Sequence, residues 1–183
     1  MVKVSNYLVL TSALGLLVTA PAAAATDGTF GATSTGTVGI NASVPGRVRI
    51  SKLTDIDLTN LDPTVAASRA QNVCVWSNAA SRRYSITASG SGSGNAFTLD
   101  AAGAPAAVPY SVQWSATSGQ TSGTSLSAGT ALGALTSTAI NSDCSAGPAT
   151  TASLIVGMDT TTLQSMTSGL VYTGTLTLMV APD

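Results

Sequence analysis

Few residues in this 183-residue chain could do chemistry, and their types set the first limits. There is no histidine and no glutamate, and the eight acidic residues are all aspartates. Without histidine, neither a Ser–His–Asp or Cys–His nucleophile nor a His-ligated zinc site can be assembled. The two cysteines, Cys74 and Cys144, are too few for a four-thiolate metal centre within one chain. Seven Lys plus Arg leave little with which to neutralise nucleic-acid phosphates, so no nucleic-acid partner is expected. Asp55 and Asp57 stand two apart, hence on one face if the segment is a strand. No further acid follows at a metal-loop spacing, and paired-acid catalysis normally places its carboxylates across a cleft from separate elements. The expectation is a protein that is not an enzyme and holds no cofactor or metal. Trp76 and Trp114 could form a sugar platform, but each sits in an alternating segment that favours core or cross-strand packing. Arg82-Arg83 reads as solvated surface rather than an anion site.

The cysteines depend on compartment. Residues 1–25 have the organisation of an export signal: Lys3, an apolar stretch from Tyr7 to Val18, Pro21, then Ala23-Ala24-Ala25 as a small-residue cleavage pattern. The apolar run falls short of the ~20 residues a membrane-spanning helix needs, so no span is expected. Cleavage before Thr26 would leave six basic residues against eight acidic ones. An oxidising destination favours a Cys74–Cys144 disulfide, which on the chain-entropy model stabilises by ~4 kcal/mol. A reactive thiol is the alternative, but there is no C-x-x-C spacing and no basic neighbour to activate it.

The elements that must position these residues are strands. Period-two alternation recurs and helical periodicity is nearly absent. Phe30, Ala32, Val38, Ile40, Ala42 and Val44 fall on even positions with Ser34 and Gly36 in register, which predicts a long strand with one buried face. Pro45-Gly46 interrupts it, and Val48 and Ile50 resume. Further strands are expected around Val73–Trp76, Tyr84–Ala88, Phe97–Leu99, Tyr110–Trp114, Ala152–Gly157 and Val171–Val180. One short helical turn is expected after Asp159, which can cap it, with Leu163 and Met166 inward and Gly169 as its stop. Many short strands, Ser/Gly turns and one long-range disulfide predict an all-β sandwich.

The order of these features resembles the subunits of chaperone–usher pili, in particular the archaic pilins and the spore-coat-protein-U-like secreted proteins. Four elements carry the likeness: an export signal followed by the arm Gly31-Ala-Thr-Ser-Thr-Gly-Thr-Val-Gly-Ile40; two distant cysteines in a Ser/Thr/Gly-rich chain; Tyr84-Ser-Ile-Thr-Ala-Ser-Gly-Ser-Gly leading into a turn; and the closing segment Gly169-Leu-Val-Tyr-Thr-Gly-Thr-Leu-Thr-Leu-Met-Val180. Gly174 stands where the family pattern often has Asp, and Gly169 lies one residue further from Tyr172 than in that pattern.

The resemblance implies an immunoglobulin-like Greek-key β-sandwich that lacks one strand and is completed by a strand donated from a neighbour. It implies residues 1–25 as signal peptide, 26–40 as an amino-terminal arm and 41–183 as a single pilin-like domain. Phe30, Ala32, Ser34, Gly36, Val38 and Ile40 would be the donor series. Tyr172, Leu176, Leu178 and Val180 would lie on the terminal strand and the groove that a chaperone fills. The implied partners are a periplasmic pilus chaperone, an outer-membrane usher and homologous pilin subunits. The implied location is a surface fimbrium of a Gram-negative bacterium, reached through the periplasm and serving adhesion or biofilm formation. The alternating pattern of the arm is equally that of a first strand paired within its own sheet. In that case the chain is a self-complete secreted sandwich that binds a glycan or host surface. Tyr172 is likewise open between a chaperone contact and a sandwich tyrosine whose hydroxyl bonds the backbone.

Overall fold

A computed structural model of the chain describes residues 24–183. The export signal expected over residues 1–25 therefore lies, apart from Ala24 and Ala25, outside the described residues. The chain divides into two units, Met1–Val44 and Pro45–Asp183.

The second unit is built from antiparallel strands: β1 (Val48–Ser51), β2 (Ala67–Ser77), β3 (Arg83–Gly90), β4 (Thr98–Leu99), β5 (Val108–Pro109), β6 (Ser111–Ser115), β7 (Thr124–Ser125), β8 (Ala131–Thr136), β9 (Ala152–Met158) and β10 (Leu176–Pro182), with one helix, α1 (Thr160–Ser165), between the last two. Five strands form a sheet in the order β1-β2-β9-β6-β7, three form a second in the order β10-β3-β8, and β4 pairs with β5. The all-β expectation holds.

Both larger sheets send side chains into one apolar cluster. Val73 and Val75 of β2, Val112 and Trp114 of β6, and Leu154 and Val156 of β9 meet Tyr84, Ile86 and Ala88 of β3 there. Alternation explains the assignment, since every second residue of each strand points to the same side. Trp114 and Tyr84 are both fully buried, and each needs a partner for its polar end. They supply one another: Trp114 Nε1 donates to the Tyr84 hydroxyl at 3.1 Å. Burial pushes the Tyr84 phenol above its ordinary value, with the Trp114 bond opposing that shift. Trp114 is thus a core residue.

The cysteines lie on the opposite side of β2. Cys74 pairs with Cys144 across a Cα–Cα distance of 6.1 Å and a sequence separation of 70. With Ala139 and half-buried Trp76 they form a second small cluster. This explains the continuous apolar run Val73–Trp76: alternate members face two different clusters, the pattern of a strand covered on both faces. Beyond Val73 the β2–β9 ladder stops, and side chains take over its bonds. Thr151 Oγ1 accepts from Val75 N at 2.9 Å and donates to Val75 O at 3.0 Å, while Ser137 Oγ donates to the same carbonyl at 2.5 Å. Both hydroxyl-bearing residues are buried, and the backbone groups they satisfy would otherwise be orphaned.

The short helix forms as expected. Asp159 caps it through Thr162 N at 2.7 Å, Leu163 is buried, and Gly169 takes a left-handed φ of 82° in the turn that follows. Three expectations are corrected, and one strand is additional to those expected. Residues 30–44 form no strand. The closing strand begins at Leu176 rather than Val171, so Tyr172 precedes it. Asp55 and Asp57 lie in irregular chain rather than on a strand. Between Gly129 and Ala152 the unanticipated β8 forms, since Leu132 and Leu135 are three apart and break the alternation of a regular strand. The irregularity is a bulge. Tyr84 faces Leu135 and Ile86 faces Leu132, so Gly133 and Ala134 together oppose Ser85. Ala134 adopts φ 59°, the left-handed conformation of a bulge residue. Its amide donates to Asp183 Oδ2 at 2.7 Å, and the same carboxylate lies 3.4 Å from Arg83.

Candidate functional site

The Asp55–Asp57 pair is not arranged across a cleft from separate elements. Asp55 and Asp57 are exposed, and Asp57 Oδ1 accepts from Thr59 N in a local turn. Among the described residues no group of three or more acidic or thiol side chains could hold a metal ion. A hollow of about 230 Å³ is lined by Pro109, Tyr110, Ser111, Gly157, Met158, Asp159 and Thr162. Its one carboxylate, Asp159, is committed to the helix cap. The backbone and side chain of Thr162 hold that carboxyl below its ordinary value.

The distinctive features are an edge strand and an arm. β10 pairs along its whole length with β3, from Leu176 opposite Gly90 to Pro182 opposite Tyr84. Within Pro45–Asp183 no strand is paired to its other edge. Leu176, Leu178 and Val180 share the face turned to the main cluster and pack against it, yet all three stay only half-buried. A core-facing side chain on a strand flanked on one side only lacks cover from the missing neighbour. Met179 faces the other way and is 59% exposed. β1, at the end of the first sheet, lies beside β10 without pairing to it. Its Val48 and Ile50 also pack against the main cluster and are also half-buried. Two sheet edges therefore meet at an unpaired junction bearing five partly covered apolar side chains.

The approach to β10 is fastened down. The Tyr172 hydroxyl accepts from Thr167 N at 3.0 Å, and the ring packs against the main cluster. A hydroxyl bonded to the backbone was one of the two roles open for this residue. Thr173 exchanges two backbone bonds with Asp100, at 2.9 and 2.8 Å. Gly174 then passes so close to β4 that a Cβ would meet Thr98 O at 2.8 Å. Any side chain there would displace the strand or its neighbour.

The arm, residues 26–40, and the residues flanking it from 24 to 44 are exposed along their whole length. Val38 and Ile40 are 78% and 89% exposed, and Phe30 and Val44 are likewise open to solvent. Ala32, Ser34 and Gly36 are exposed with them. The pairing within the arm is a single antiparallel bridge between Thr26 and Thr37. The structure thus gathers Leu176, Leu178 and Val180 on one face of β10, sets Tyr172 just before it, and leaves the whole Phe30–Ile40 series outside every sheet. Sequence reasoning missed Val48 and Ile50 as part of the open junction. Their alternation with Arg47 and Arg49 was visible, but only the pairing order reveals that β1 is an edge.

Comparison of the chain with protein-family models, with curated proteins and with solved structures yields no match.

Proposed function

We propose that the chain is a structural subunit of a chaperone–usher surface pilus, polymerising by donor-strand complementation. In this reading the domain is an immunoglobulin-like Greek-key sandwich lacking its final strand. The vacant edge of β10 is the acceptor, and the arm of the next subunit is the donor. One observation carries the proposal: an alternating apolar segment, residues 30–44, lies exposed outside every sheet in a chain whose closing strand has an unpaired edge.

The physical chemistry favours such an exchange. An exposed, unpaired edge with apolar side chains beside it is a site for strand addition or aggregation, so it needs an occupant. A donated strand forms main-chain bonds along β10 and places alternate side chains against the half-covered face. Burying two or three of Phe30, Val38 and Ile40 would contribute roughly 1.5–3 kcal/mol each. Head-to-tail repetition of one such contact yields an open fibre rather than a closed oligomer. A periplasmic chaperone would fill the junction first, and an outer-membrane usher would catalyse the replacement. The product would be a fimbrium serving adhesion or biofilm formation.

The chain should be co-expressed with a chaperone and usher of this pathway and analysed by electrophoresis in detergent. Expected are ladders that collapse to monomer only on heating, and their loss when residues 26–38 are deleted while the domain still folds. Normal fibre assembly by that deletion, or a stable monomer that needs no chaperone, would overturn the proposal.

A further inference from the structure

The arm is not simply free. Thr26 N donates to Thr37 O at 3.0 Å, Thr37 N donates to Thr26 O at 2.9 Å, and the two hydroxyl oxygens lie 2.5 Å apart. These bonds close residues 27–36 into a loop, bent at residues 30–33, with Phe30 exposed at the bend. We propose that this bridge is a latch: a self-paired state of the arm that must open before the arm can be donated. The proposal rests on the donor reading given above and adds a regulatory step to it.

The argument is geometric. A donor strand running from Phe30 to Ile40 must be extended, which puts Phe30 roughly 23 Å from Thr37; the four steps back from Phe30 recover at most ~13 Å, so Thr26 and Thr37 stay at least about 10 Å apart. In the latched arm the same two residues form a directly hydrogen-bonded pair, whose Cα atoms stand about 5.5 Å apart. One chain cannot do both. The latch also occupies the amide and carbonyl of Thr37, which lies inside the donor series and would be needed for pairing with the acceptor. Two thirds of that series, Phe30, Ala32, Ser34 and Gly36, is enclosed by the loop, whereas Val38 and Ile40 lie beyond it. A single bridge without a third strand is marginal in water, so the latch sets a rate rather than a permanent block. Its benefit would be to shield an unpaired, strand-forming segment from pairing with the wrong edge before assembly.

Gly28 allows the latch to be opened without touching the donor series. A Cβ at this position would lie 2.0 Å from Ser34 Oγ and 3.0 Å from Thr35 N in the closed loop. In an extended arm Gly28 precedes Phe30, and an alanine would be accommodated. Gly28→Ala should therefore speed assembly by about fivefold, the size expected from net loss of one backbone hydrogen bond.

The test uses the full chain expressed from residue 1, with nitroxide labels on Thr26→Cys and Thr37→Cys. The native disulfide is buried and does not compete for label. Pulsed electron resonance should give a short distance in the unassembled subunit, a longer one in the fibre, and a broadened distribution in unassembled Gly28→Ala. Oxidising the unlabelled double-cysteine variant should stop assembly, and mild reduction should restore it, with wild type under the same reductant as control. A long or broad distance in the unassembled wild type would overturn the latch, as would undiminished assembly of the cross-linked variant. A short distance in a protein that never forms fibres would overturn its gating role together with the donor reading, while leaving the closed loop itself established.

Discussion

Residues 30–44 and residues 176–182 both carry an apolar series of period two, yet only the second is a strand. β10 lies against β3 over seven residue pairs, and Leu176, Leu178 and Val180 reach the main cluster. The arm has one bridge, to itself, and its apolar side chains face water. Alternation describes what a segment could pair with; it does not supply the partner. A strand is stabilised by cross-strand neighbours and by burial of one face, and without both the same pattern stays irregular. A segment that has the pattern but no partner within its own chain is available to another chain, as the proposed donation requires.

The comparison can be broken first at the disulfide. Replacing Cys74 and Cys144 together by alanine should cost the domain ~4 kcal/mol in denaturant-induced unfolding. The Thr26–Thr37 bridge should persist to the same degree below the transition, seen by exchange protection of the Thr37 amide. Loss of that protection in parallel with domain stability would make arm and domain one cooperative unit.

The next effect is sharper. Leu178→Ala should lower domain stability by about 2 kcal/mol, at the low end for a leucine truncation because the side chain is only half-buried. Ile40→Ala in the unassembled subunit should change the denaturation midpoint by less than about 0.5 kcal/mol. Equal losses would show that the arm is packed in the monomer. In the fibre the contrast should vanish, since both side chains would then line the same contact.

Acid gives a third separation. Bonds from Thr162 hold the Asp159 carboxyl below its ordinary value of 3.8, and the Ala134 amide, then Arg83, do the same for Asp183. A depressed carboxyl stabilises the fold above its unfolded value and loses that contribution as pH falls through the folded one. Domain stability should therefore be level from neutrality to about pH 5 and decline below about pH 4. Asp159→Asn and Asp183→Asn should each reduce the decline, as measured by thermal unfolding across that range. The smallest expected effect is Val38→Ser, which should leave the unassembled subunit's melting temperature unchanged while slowing assembly. A lowered melting temperature would place Val38 in the monomer's core.

Much of the domain was legible in the residues. Seven expected strands lie within or overlap observed ones, from Val48–Ile50 at the start to the closing segment. Asp159, Leu163 and Gly169 marked the one helix and its end. The cysteine pairing followed from there being only two. What escaped was set by contacts distant in sequence. In the bulge of β8 the Ala134 amide donates to the Asp183 carboxylate, 49 positions away. Thr151 and Ser137, two of many similar Ser and Thr residues, complete the bonding of β2 only because the loops bring them to Val75. The partnership of Trp114 with Tyr84 was equally hidden, since either could have been read as an ordinary core aromatic.

The sequence by itself determined the class of structure: sparse charge, no histidine or glutamate, abundant Ser, Thr and Gly, and repeated alternation demand β-strands and exclude His-based chemistry. Those are local or compositional properties, readable without knowing which segments meet. Only the tertiary structure decided which alternating segment enters a sheet, which edge stays unpaired, and that the arm closes on itself through Thr26 and Thr37. Pairing is a choice among distant partners, made by the sum of burial and backbone bonds over the whole domain, and no single segment carries it.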